Sequence, residues 1–131
     1  MFSHVHIGSN DIARSKRFYD AIMDALGGAT SWKDPDRDRW FWVRDDAFLV
    51  VGTPLDGETA TAGNGMTVGF KVMSPEQGDA WHAAGLANGG SAIEDPPGLR
   101  DRGARGKIYL AYLRDPDGNK LCALKMMGTA A

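Results

Sequence analysis

The chain has 131 residues, the length of one compact domain, and its 43% hydrophobic and 24% charged content fits an ordinary soluble globular protein. Its formal net charge of -2 offers nothing that recruits nucleic acid or an anionic membrane. The single cysteine, Cys122, excludes an intrachain disulfide, and no apolar run is long enough to span a bilayer. Together with a start, MFSHVHIG, that lacks a basic-then-apolar leader, this sets the expectation of a cytoplasmic domain.

Residues 2–8 alternate at strand period, with His4, His6 and Gly8 on one face and Val5 and Ile7 on the other. SNDIARSKRFYDAIMDALGG then predicts a helix. Asn10 or Asp11 serves as its cap, Phe18, Ile22, Met23 and Leu26 form an apolar stripe, and Gly27-Gly28 supply a left-handed stop. The strands DRWFWVR and AFLVVG follow. In the first of them, Trp40 and Trp42 share one face and Phe41 and Val43 the other.

The same grammar returns after a polar, glycine-rich stretch, PLDGETATAGNG. MTVGFKV predicts a strand, and SPEQGDAWHAAGLANGG predicts a helix. Ser74 caps that helix, Pro75 takes its first turn, Gln77 completes a capping box and Gly89-Gly90 end it. Aligning the halves sets His4 on Thr67, Asp11 on Ser74 and Phe18 on Trp81, while WVRD at 42–45 overlies YLRD at 112–115. Two strand–helix–strand–strand–strand units are therefore expected, residues 1–55 and 66–131 joined by 56–65. They form an α+β domain in which two βαβββ modules build a curved mixed sheet, with helices outside and a concave face for a small molecule.

HVHIGSND before RSKRFYDAIMDALGG, then TAGNGMTVGF, then YLRDPDGNKLCAL, resemble in order and spacing the vicinal oxygen chelate superfamily. Its members include glyoxalases, bleomycin- and fosfomycin-resistance proteins and extradiol dioxygenases. The resemblance covers nearly the whole chain and implies paired βαβββ modules, a homodimer and a cup for a small organic ligand. It also implies a divalent metal held by a His on the first strand, a His or Gln opening the second module and a Glu on the last strand. Those three positions here hold His4, Thr67 and Cys122.

An imidazole, a hydroxyl and a thiol suit magnesium or manganese poorly, because hard cations seek carboxylate oxygens. The expectation is thus a cup without the usual metal, in which His4 and His6 are wall residues. The alternative is an enzyme with a rearranged site. His4 and His6, roughly 7 Å apart as next-but-one strand neighbours, would join Cys122 on zinc or iron(II) and support lyase, isomerase or oxygenase chemistry. A histidine pair also suits acid–base work near neutral pH.

Trp40, Trp42, Tyr112 and Arg114 are the further expected ligand contacts, beside Thr67 and Cys122. Aromatic rings give large contact area at low entropy cost, and in fosfomycin-resistance relatives the Tyr112 position touches ligand. The basic stretch GLRDRGARGK, residues 98–107, reads as a solvated mobile loop or a lid that attracts anions. His82 is expected to be exposed or at an interface, and Asp115, Asp117 and Gly118 to be turn-formers. No nucleic-acid or membrane partner is expected.

Overall fold

Asp11, three residues past the first strand, opens the first helix. Its backbone is extended and its carboxylate accepts the Arg14 amide at 3.0 Å, satisfying one of the helix's free N–H groups. The helix, α1, runs Ile12–Ala25 and buries Ser15, Phe18, Tyr19, Ile22 and Met23, three to four residues apart along one face. The chain then leaves through Gly27 and Gly28, both at positive φ. Helix α2, Pro75–Ala87, starts from Ser74, whose Oγ accepts the Gln77 amide at 3.1 Å. Gln77 reaches back to accept the Met73 amide, one residue before the cap.

The computed structural model describes residues 1–128, so the last three residues of the expected second module lie outside it. Around the helices run β1 (His4–Gly8), β2 (Thr30–Lys33), β3 (Arg39–Arg44), β4 (Ala47–Gly52), β5 (Val68–Lys71), β6 (Ser91–Ala92), β7 (Gly98–Asp101), β8 (Lys107–Arg114) and β9 (Lys120–Met126). One sheet has the order β1-β4-β3-β2 and the other β5-β9-β8-β6, with β7 also on β8. In each sheet the first strand pairs in parallel with the last and the remaining pairings are antiparallel. The fold is α+β with two mixed sheets, separate rather than continuous.

The basic stretch 98–107 is no mobile loop. It forms β7 and a 3-10 turn over Gly103–Arg105, and Arg100 donates to the Pro96 carbonyl at 2.8 Å. β6 and β7 share the same edge of β8 and leave the Tyr112 carbonyl free between them. His82 of α2 fills that gap, donating from Nε2 at 3.1 Å. His82 is half-buried and structural.

Both helices cover one face of their own sheet and pack on each other. The buried cluster joins Phe18, Tyr19, Trp42 and Leu49 of the first half to Trp81, Tyr109, Leu113 and Leu121 of the second, so the halves share one core. Burying each of the larger side chains contributes roughly 2–3 kcal/mol. Gly85 brings α2 close to Leu113 and Phe18, where a Cβ would meet Leu113 Cδ1 at 2.3 Å. Phe18 therefore packs directly on the second module's helix.

The hairpin between β8 and β9 ties the halves together in a way that simple turn-formers do not. Asp115 is 3% exposed and accepts the Tyr19 hydroxyl at 2.6 Å, the Asn119 side-chain amide, and the backbone amides of Asp117 and Asn119. Asp117 accepts the Asn10 amide, the Arg14 guanidinium and the Ser15 hydroxyl. Asn119 donates to the Gly8 carbonyl at 3.1 Å. Buried carboxylates persist only with such complete satisfaction. Asn10 adds a paired contact to the backbone of Ala60 in the connecting stretch.

Candidate functional site

Residues opposite one another in a ladder share a face, so the registers sort the side chains. On the first sheet His4 lies opposite Phe48, His6 opposite Val50, Phe41 opposite Val50 and Trp32 opposite Phe41. These residues occupy the face turned away from α1. Their rings form a ladder across all four strands. Trp32 stacks on Phe41 with centroids 4.0 Å apart, Phe41 meets Phe48 at 5.8 Å, and Phe48 stacks on His4 at 4.7 Å. Arg39 lies over the Phe41 ring at 5.3 Å, in space left by Gly52, where a Cβ would meet that of Arg39 at 2.5 Å. The Arg39 Nε is held by Asp34 at 2.8 Å.

Imidazole chemistry here is shaped by these neighbours. His4 Nδ1 shares a hydrogen bond with the Ser3 hydroxyl at 2.8 Å. His6 has its pKa lowered from the ordinary histidine value, first by burial and then by the positive charges of Arg39 and His4. At neutral pH His6 is thus a neutral donor–acceptor beside a fixed cation, suited to hydrogen bonding or to accepting a proton.

Trp40 and Trp42 lie on the opposite face and are corrected from contacts of the imidazole and aromatic face to residues packed in the core. Trp42 is 2% exposed, packs on Tyr19 and donates its indole N–H to Asp20 at 3.0 Å. Trp40 packs against the core, with the Lys16 ammonium 4.4 Å from its ring centroid. The expectation slipped by one residue. The repeat alignment set Trp42 on Tyr112, but Phe41 shares a face with Val50 as Tyr112 does with Cys122, and a slip of one exchanges the faces.

The second sheet carries the remaining expected residues. Gly69, Cys122 and Tyr112 are opposite one another, as are Lys120 and Arg114. Lys120 sits over the Tyr112 ring at 5.0 Å and pairs with Glu94. Arg114 donates to the Gly118 carbonyl at 2.7 Å and so braces its hairpin. Cys122 is buried, and burial first of all raises its thiol pKa. Thr67 is exposed just before β5.

His4 and His6 therefore belong to one sheet and Cys122 to the other. Among the described residues no three His, Cys, Asp or Glu side chains gather as a metal-binding group. A buried thiol that resists ionisation, on the other sheet from His4, and the hydroxyl of Thr67 do not supply the carboxylate that a hard cation seeks.

Sequence reasoning placed no ligand contact at Trp32, Arg39, Phe41 or Phe48, which stand on this face. The alternation of DRWFWVR separates Phe41 from Trp42, but which face is covered follows only from the pairing of β3 with β4 and the seat of α1.

Among the described residues no helix is long and apolar enough to cross a membrane. None of the curated proteins matches the chain. Among solved structures, it is similar to a glyoxalase/bleomycin resistance protein from Albidiferax ferrireducens T118, with 55% identity, 95% of this chain and 98% of that chain covered, and a TM-score of 0.88. A glyoxalase-related enzyme from Fulvimarina pelagi shares the fold at 19% identity, with 95% and 86% covered and a TM-score of 0.73. A glyoxalase/bleomycin resistance protein/dioxygenase family enzyme from Burkholderia phytofirmans PsJN does so at 18% identity, with 93% and 95% covered and a TM-score of 0.69. The model of the Glyoxalase/Bleomycin resistance protein/Dioxygenase superfamily matches residues 1–123, and the chain belongs to that family.

Proposed function

We propose that the chain binds a small, planar organic ligand on the imidazole and aromatic face of its first sheet, without the divalent metal of its catalytic relatives. The observation that carries this reading is the ring ladder Trp32–Phe41–Phe48–His4, which leaves Trp32 45% exposed. Stacked rings offer a flat, rigid surface at low entropy cost. Arg39 and His6 at its edge supply a fixed positive charge and a neutral hydrogen-bonding ring, which favour a ligand with a polar or anionic rim. Such a face, with Val43 also exposed, is apolar enough to be shared with a second copy, and a cytoplasmic homodimer is the assembly we assign.

Titration of tryptophan emission with a panel of aromatic anions tests the reading. A saturable response that disappears in Trp32→Phe and weakens in Phe41→Ala supports it. A panel without response overturns it. Metal analysis of protein purified without chelator tests the metal-free part. One equivalent of zinc or iron(II) per chain, lost in His4→Ala, would overturn the metal-free part and favour the enzyme alternative.

A further inference from the structure

The two ends of the seam between the modules are built from corresponding residues and closed differently. β1 and β5 are edge strands, each paired with one neighbour only. The Asn119 bond to Gly8 at one end and the common lining by Val5 and Val68 at the other put the module seam between them. Asp11 and Ser74 cap α1 and α2 at matching positions, so Gly8 and Asn10 correspond to Lys71 and Met73. At the Gly8 end, residues 115–119 join β8 to β9 and seal the seam, with Asn119 on the Gly8 carbonyl and Asp117 on the Asn10 amide. At the Lys71 end, β3 and β4 are joined by Asp45 and Asp46 alone. A two-residue turn is too short to repeat that closure. A cleft of about 570 Å³ remains, lined among others by Asp45, Asp46, Lys71 and Met73.

Its inner wall is apolar: Val5, Trp42, Leu49, Val68 and Phe70 from the strands, Met23 and Leu26 from the end of α1. The volume lies within the range of small-molecule sites, and most of the wall is fixed by the shared core. Charge is confined to the lip. The Arg44 guanidinium is engaged by the Gly28 carbonyl at 2.7 Å, while Lys71, Asp45 and Asp46 enter no ion pair among the described residues. His4 and Phe48 stand where the cleft meets the aromatic face, but Trp32, Phe41 and Arg39 take no part in it.

We infer that this open end of the seam is a second ligand site, which takes a compact apolar molecule of aromatic or branched hydrocarbon character with its polar end at the Lys71 lip. It is distinct from the exposed Trp32–Phe41 end of the aromatic face, although His4 and Phe48 border both. The site holds its guest between the modules, so occupancy also braces the weaker end of the seam.

8-Anilinonaphthalene-1-sulfonate, an apolar ring system with one anionic end, is the probe. Added to the full chain and followed by amide NMR, it should shift Asp45, Asp46, Lys71 and Met73 and leave Trp32 and Phe41 in place. Val68→Phe narrows the cleft and should weaken binding about fivefold or more, near 1 kcal/mol, while Phe41→Ala stays within about twofold of the parent. If circular dichroism finds Val68→Phe unfolded, Met73→Glu at the exposed rim repels the sulfonate and should weaken binding similarly. Shifts confined to the aromatic face, binding unchanged in the folded cleft variant, or lip amides protected in a dimer that takes up no probe would each overturn the inference. Loss of aromatic-anion binding in Phe41→Ala with probe binding intact separates this site from the first-sheet face.

Discussion

The Tyr19 hydroxyl donates to Asp115 Oδ2 at 2.6 Å, with the tyrosine wholly buried and the aspartate 3% exposed. One residue comes from the first module's helix and the other from the second module's last hairpin. Burial, then Asp115, raise the Tyr19 pKa well above its ordinary value, so its hydroxyl remains the donor at every working pH. Tyr19→Phe removes one of the four donors to Asp115 without changing shape and should cost about 1–3 kcal/mol. Asp115→Ala should cost more, since it strands Tyr19 and the backbone amides of Asp117 and Asn119. Urea denaturation of both variants beside the parent checks the order.

Close approach of α2 to β8 depends on a missing side chain. A Cβ on Gly78 would lie 2.1 Å from the Tyr109 ring, whose hydroxyl is held by Asp79 at 2.8 Å. Gly78→Ala would gain helix propensity, yet the clash dominates. The expected result is a net loss of about 1–3 kcal/mol, read as a lower denaturation midpoint.

Tryptophan emission should separate core from ligand face. Trp42 is buried with its N–H on Asp20, and Trp32 is the exposed end of the ring ladder. Trp42→Phe should lower stability and leave the ligand response intact, whereas Trp32→Phe should abolish that response at unchanged stability. The reverse pattern would return Trp42 to the ligand face.

His6 makes stability depend on acidity. Its folded pKa lies below the unfolded value of 6.5, so between those two values the unfolded chain holds more protons. Stability is full above pH 6.5 and falls as pH drops through the folded value. His82, lowered mainly by burial, acts in the same direction. His6→Gln should flatten part of this acid limb in melting temperatures between pH 7.5 and 5. Arg39→Gln removes a repelling charge and should move the His6 titration upward in histidine NMR.

Cys122 should be slow to react. Its thiol is buried, and burial outweighs the opposing Lys120 charge in raising the pKa. Ellman's reagent should label the native chain far more slowly than the urea-unfolded chain at pH 8. Equal rates would place the thiol in solvent.

The sequence by itself determined the helices, the longer strands and their doubling, but not β2, β6 or β7. Caps at Asp11 and Ser74, the stops at Gly27-Gly28 and the alternation through His4 and His6 are local signals, written within a few residues of where they act. Faces and closures were decided elsewhere. Trp40 and Trp42 alternate with Phe41 and Val43, and both pairs are apolar, so only the seat of α1 on the sheet selects which pair is covered. Asp115 and Asp117 read locally as turn residues. Their burial follows from docking on Tyr19, Arg14 and Ser15, about a hundred residues away. Local periodicity fixes a side chain's direction relative to its own strand, whereas what lies on either side of that strand is set by non-local packing.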